Sequence, residues 1–286
     1  MRKKTISLLA IASGCILFLS GCSNTKIETS KQEYQVDGMT AVVKGKTDSN
    51  NTLTYQIDGG KKHQLQIKNR EFVFQVPGKD KNQKVKLTAK HGSQTTTKVV
   101  TVKKQEPLSK NYQEVCEKFE QTISMSQLSQ SELEVLQKAK NIDTQNQSEV
   151  IKNQDVLRQA KEIQTKIAKS GSNSISLKKN ASGITNLIKN QTFTLRANIQ
   201  SNQLISATII VPTSNLKNKD KAKQFGTAFV AFSQAIGANG KEVMEEFEKE
   251  TKSQNNSQTT SKTIKNHGVT YSVGFSKTDL YIYITK

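Results

Sequence analysis

The chain has 286 residues, 34% hydrophobic and 6% aromatic, with 43 basic against 24 acidic side chains and a formal charge of +19. That length allows two domains of ordinary size, and an apolar share below the globular norm with no tryptophan makes any core aliphatic and excludes a Trp-lined sugar platform. Three cysteines exclude a disulfide-stapled scaffold, and three scattered histidines exclude a histidine-rich metal site.

The first segment is an address. Met1-Arg2-Lys3-Lys4 is basic, and an apolar run follows from Ile6 to Leu19. The run is shorter than the roughly 20 residues that span a bilayer, so the pattern reads as a secretory signal. It closes on Leu19-Ser20-Gly21-Cys22. Those four residues resemble the lipobox of bacterial lipoproteins. The resemblance implies cleavage before Cys22, diacylglycerol on the Cys22 thiol, and a chain lipid-anchored to the cell membrane on its extracytoplasmic face. Ala12-Ser13-Gly14-Cys15 also ends in Gly-Cys, but cleavage there would strand Ile16-Leu17-Phe18-Leu19 on the mature chain. Two acyl chains anchor stably where one does not. Processing removes Arg2, Lys3 and Lys4, leaving a charge of +16 from +19.

Residues 22–33 are polar and aperiodic, which predicts a flexible tether behind the lipidated cysteine. From 34 to 104 the chain alternates with a period of two: Leu53, Tyr55 and Ile57; Leu65 and Ile67; Phe72, Phe74 and Val76; Val85, Leu87 and Ala89; Val100 and Val102. Asp58-Gly59-Gly60, Pro77-Gly78 and His91-Gly92 mark turns. Closely spaced short strands predict an all-β antiparallel sandwich. Val43-Lys44-Gly45-Lys46-Thr47, Glu71 to Pro77, Val85 to Ala89 and Val99 to Lys103 resemble a bacterial immunoglobulin-like domain. That resemblance implies a spacer or binding module and carries over no functional residue. The intersheet cysteines and core Trp of antibody-type domains are missing.

Residues 105–110, with Pro107, predict a linker. An α+β domain, helices plus antiparallel sheet, is expected over 111–286 and resembles no family. Tyr112, Val115, Cys116, Phe119 and Ile123 form one helical stripe; Leu133, Leu136 and Ala139, led by a Ser131–Glu134 capping box, a second; Val156, Ala160, Ile163 and Ile167 a third. Phe193 to Ile199 and Leu204 to Val211 predict a hairpin. Ala222, Phe225, Phe229, Phe232 and Ile236 give the best helical stripe, stopped at Gly237, and Val243, Met244 and Phe247 a shorter helix. Residues 250–262 are low-complexity and read as a loop, before a closing hairpin over Val269–Phe275 and Leu280–Thr285.

Chemistry is scarce. His63, His91 and His267 are far apart, no catalytic or phosphate-binding motif is visible, and Glu242, Glu245, Glu246, Glu248 and Glu250 read as a solvated helix face. The reading is a non-enzymatic chain with no cofactor and no metal. The excess charge is spread over both halves and is nearly all lysine; Arg2, Arg70, Arg158 and Arg196 are the arginines. Lysine is a diffuse point charge, whereas arginine reads phosphate bidentately. That pattern argues against sequence-specific nucleic-acid binding and fits either a solubilising lysine-rich surface with no specific target or weak attraction to an anionic envelope polymer or acidic lipid, an envelope protein being the other partner considered. Tyr281 and Tyr283, alternating with Ile282 and Ile284, form a candidate contact strip. The function expected is an envelope binding module. The competing classes are a transporter's solute-binding lipoprotein, which would need repeated βα units, and an envelope enzyme without a recognisable motif.

Overall fold

The computed structural model describes residues 25–170, 175–253 and 262–286; Cys15 and Cys22 lie outside the described residues. Within these, fourteen strands and seven helices build a mixed, multidomain α+β protein with two separate apolar cores.

The N-terminal unit holds β1 (Glu28–Thr29), β2 (Glu33–Tyr34), β3 (Thr40–Lys46), β4 (Thr52–Ile57), β5 (Lys62–Leu65), β6 (Glu71–Pro77), β7 (Gln83–His91) and β8 (Gln94–Val102). They form a three-stranded sheet, β1-β3-β6, and a five-stranded sheet, β2-β8-β7-β4-β5. The period-two pattern is the cause: in β6 Phe72, Phe74 and Val76 point inward, and in β7 Val85, Leu87 and Ala89 do the same. Together with Ala41, Val43, Leu53, Val100 and Val102 they make one core between the sheets.

The tether expected over 22–33 is overturned from Thr25 onward. Thr25 is buried with its Oγ1 2.7 Å from Thr96 Oγ1, Ile27 joins the core, β1 pairs with β3, and β2 pairs in parallel with β8. Gly45 makes this possible. A Cβ there would lie 2.1 Å from the Glu28 carbonyl oxygen, so only glycine lets β1 come so close.

The strands define two poles. Thr25, the β3–β4 turn, the β5–β6 turn and the β7–β8 turn share the proximal pole; the β2–β3 turn, the segment after β6 and residues 103–106 share the distal pole. At 3.3–3.4 Å per residue, a strand such as β7 carries the chain about 30 Å between them.

The C-terminal unit begins earlier than expected. Leu108 is buried in its core, and Ser109 N donates to Leu204 O at 3.1 Å, so residues 108 and 109 of the predicted linker belong to it. Next come α1 (Tyr112–Met125), α2 (Gln130–Lys140), α3 (Gln147–Lys152) and α4 (Gln154–Ser170). Asn111 caps α1, which buries the predicted stripe. The capping box of α2 is Ser129–Glu132, not Ser131–Glu134. Both registers satisfy Ser-x-x-Glu, and the earlier one lets Glu132 also meet Lys166 of α4 at 2.6 Å. Neither α2 nor α3 buries any residue.

The sheet comprises β9 (Gly183–Lys189), β10 (Thr194–Gln200) and β11 (Gln203–Pro212), then, after α5 (Thr213–Leu216), α6 (Lys219–Ala235) and α7 (Gly240–Ser253), the strands β12 (Lys262–Asn266), β13 (Val269–Phe275) and β14 (Asp279–Thr285). Its order is β12-β13-β14-β11-β10-β9 and every pair is antiparallel. One face carries α6: Phe225 lies 6.3 Å from Phe193, and Phe229 5.7 Å from Tyr271, ring centre to ring centre. Gly237, at φ +87°, ends the helix in the left-handed region. The loop expected over 250–262 is shorter at both ends, since α7 runs to Ser253 and β12 starts at Lys262.

Candidate functional site

The closing strand β14 sorts its side chains by alternation. Ile282 and Ile284 enter the core, and Tyr281 and Tyr283 point the other way with stacked rings 6.2 Å apart. Gly274 and Ile210 stand opposite Tyr281 on the two neighbouring strands, and Thr208 and Ser272 flank Tyr283. Tyr283 remains 39% exposed. It is not wholly free, however. Its ring lies 3.4 Å from where a Gly38 Cβ would sit, against the β2–β3 turn of the N-terminal unit. Burial first, and then the Tyr281 hydroxyl and the Asp37 carboxylate, push its own hydroxyl pKa upward. The strip is therefore divided between solvent and a seam.

That seam joins the two units and holds an open cleft of about 310 Å³, with Asp37, Lys104 and Glu106 on one side and Ser272, Tyr283 and Lys286 on the other. Asn198 clamps it. On β10 Leu195, Ala197 and Ile199 point into the core, so Asn198 points away from α6, yet it is fully buried. Its Nδ2 donates to the Gly78 carbonyl at 2.8 Å, while its Oδ1 accepts from Gln200 Nε2 at 2.8 Å. Gln105 Nε2 adds a bond to the Gly38 carbonyl at 2.9 Å. A mixed-charge, open cleft can hold a polar ligand or a partner's edge.

The other candidates fall apart in space. His63 stacks on Tyr55 at 5.0 Å in the N-terminal unit, His91 sits 3.3 Å from the Asn50 carbonyl, and His267 occupies the β12–β13 turn at φ +49°. Glu242 is spent on structure, accepting from Asn239 Nδ2 at 2.8 Å and Asn266 Nδ2 at 2.9 Å to fix the start of α7. Burial pushes the Cys116 thiol upward, which keeps it protonated and inert. Among the described residues no helix is long and apolar enough to cross a membrane, and no His/Cys/Asp/Glu group is placed to hold a metal.

Compared with known proteins, the chain matches no family model and no curated protein sequence. Function has to be argued from geometry.

A second surface lies at the proximal pole. Lys26, Lys46 and Arg70 line an open depression of about 410 Å³ together with Glu28 and Asp48. Lys26 pairs with Glu28 at 2.6 Å and Lys46 with Glu71 at 3.3 Å. Beyond those pairs, exposed Lys68 and Arg70 stand on the β5–β6 turn and exposed Lys90 at the end of β7. Sequence reading missed this pole and Asn198 alike. Basic residues scattered along the chain meet only when strands fold back. A lone Asn amid apolar alternation was the one available signal for the clamp.

Proposed function

We propose that the chain is an extracytoplasmic lipoprotein held to the cell membrane through Cys22, in which an immunoglobulin-like sandwich acts as spacer and the α+β unit as a binding module for an envelope component. The observation that carries the reading is polarity along the spacer: the chain enters at Thr25 on the proximal pole, and the C-terminal unit docks through Asn198 on the distal pole. Such a layout sets a module off a surface. It does not enclose a reaction.

The immunoglobulin-like reading rests on strand order. Lettered A, A′, B, C, C′, E, F, G, the eight strands give sheets A-B-E and A′-G-F-C-C′, with the first strand shared between the sheets. That order supports the reading, since it is compatible with the Greek-key arrangement of such sandwiches, here without disulfide or core Trp.

For the binding role, the support is the Tyr281–Tyr283 pair beside an open cleft and a lysine-rich surface suited to an anionic wall polymer. A solute-binding role lacks its repeated βα units, because the described unit reads helices, three antiparallel strands, helices, three antiparallel strands.

Two measurements test this. Labelling with a palmitate analogue marks the wild type and Cys15→Ala, and is lost in Cys22→Ala; a labelled Cys22→Ala variant refutes the anchor. Retention of the soluble mature chain on purified walls falls steeply with salt, since exposed charges are screened beyond about 8 Å at physiological ionic strength. Salt-independent retention removes the polymer and leaves a protein partner for Tyr281 and Tyr283.

A further inference from the structure

Resting on the lipid-anchor reading, we propose that the proximal pole of the N-terminal unit is itself a lipid-binding surface, which seats on the anionic headgroups of the membrane that carries the anchor. Two independent observations lead there. The first is reach. Residues 25–27 are locked into the fold, so only three residue steps separate Cys22 from fixed structure. An extended chain covers at most 3.3–3.6 Å per residue, about 11 Å in all. A longer tether would let the unit tumble away from the bilayer. This one holds the proximal pole against it.

The second is charge. The elements that meet at this pole carry Lys26, Lys46, Lys68, Arg70 and Lys90 against Glu28, Asp48 and Glu71. Once the two ion pairs are set aside, Lys68, Arg70 and Lys90 face Asp48 alone, and Asp48 is engaged by the Asn50 amide at 2.9 Å. Anionic headgroups attract basic side chains only within about a Debye length, which is the distance the short tether imposes. Among the described residues no exposed apolar side chain accompanies the charges on these turns: Ile27 is buried, and Ile67 packs against the core. The contact is therefore electrostatic and superficial. With both anchor and pole engaged, the strands run outward from the bilayer, and the cleft and tyrosines of the distal pole are presented about 30 Å above it.

The test uses the mature chain with Cys22→Ser, which carries no acyl chains, so any membrane binding is the pole's own. It is sedimented with vesicles of phosphatidylcholine alone and of phosphatidylcholine with phosphatidylglycerol. Binding is expected only to the second and is weakened by salt. Each basic side chain near such a surface contributes about fivefold to partition. Lys68→Gln, Arg70→Gln and Lys90→Gln together therefore lower binding about a hundredfold, with an unchanged circular dichroism spectrum. A control triple on the helices, Lys138→Gln, Lys140→Gln and Lys152→Gln, leaves it unchanged. Equal loss in both triples, indifference to phosphatidylglycerol, or retention on soluble wall polymer but not on vesicles each overturns the proposal. The anchor is read separately by palmitate-analogue labelling of the wild type. Labelled protein whose pole variant still binds vesicles sinks this inference alone, and unlabelled protein that binds through the pole sinks the anchor instead.

Discussion

Replacing Asn198 with Ala should uncouple the two units while leaving each folded. Asn198 is fully buried, and its amide is the donor for a Gly78 carbonyl that is itself buried. Truncation deletes the donor and leaves that carbonyl unsatisfied, a cost of about 1–3 kcal/mol. The bond spans residues 120 apart in sequence and two cores, so the loss falls on docking rather than on either core. For units of this size, 1 kcal/mol moves a melting temperature by about 2–8 °C. Asn198→Asp should cost more, because it sets a carboxylate against the same carbonyl and buries a charge. Differential scanning calorimetry is the assay, with amide exchange at the distal pole as a local readout. Wild type should melt with its units coupled. The variants should separate into two transitions, with faster exchange at Met39 and Gly78. If both substitutions stay within about 0.5 kcal/mol of wild type, the range of an ordinary surface change, the clamp argument is wrong.

Two further outcomes check other parts of the reasoning. The Lys166 ammonium and the Ser129 hydrogen bonds hold the Glu132 carboxyl at about 2 from an ordinary 4.5. Because the folded value is depressed, its contribution is fully present above pH 4.5 and is lost as pH falls from there toward 2. The helical circular dichroism signal should decline over that window in wild type but not in Glu132→Gln, and identical acid profiles would refute the α2–α4 linkage. Gly45→Ala should expel β1, because the added carbon would meet the Glu28 carbonyl oxygen at 2.1 Å, and main chain cannot rotate aside as a side chain can. Limited trypsin digestion should then cut after Lys26 or Lys31 in the variant and not in wild type, and an unchanged digestion pattern would show that β1 does not depend on this glycine.

What was readable in the sequence followed the strength of local periodicity. Long alternating segments such as β6 and β7 declared themselves, as did the α6 stripe, because each buries several side chains on one face. The two-residue strands β1 and β2 are too short to have a period, and the polar Thr25 just before them is buried with its hydroxyl against Thr96, far away in sequence. In β9 a register shift where Leu195 gives way to Arg196 disrupts the alternation, and β12 contributes a single buried apolar side chain, Ile264. The tyrosines of β14 were legible as outward-facing, since Ile282 and Ile284 fix the phase. That one of them would lean on Gly38, far away in the chain, was not.

A chain only 34% hydrophobic still fills two cores. Both cores are filled in the ordinary way, with residues such as Leu53, Leu87, Phe119 and Phe229 fully buried. Neither α2 nor α3 contains a fully buried residue, and the turns of the proximal pole are mostly polar. The fully buried polar side chain of Asn198 is spent on joining the two units, donating to the Gly78 carbonyl at 2.8 Å. On the envelope-module reading proposed above, such a clamp would fix the orientation of the Tyr281–Tyr283 face relative to the sandwich.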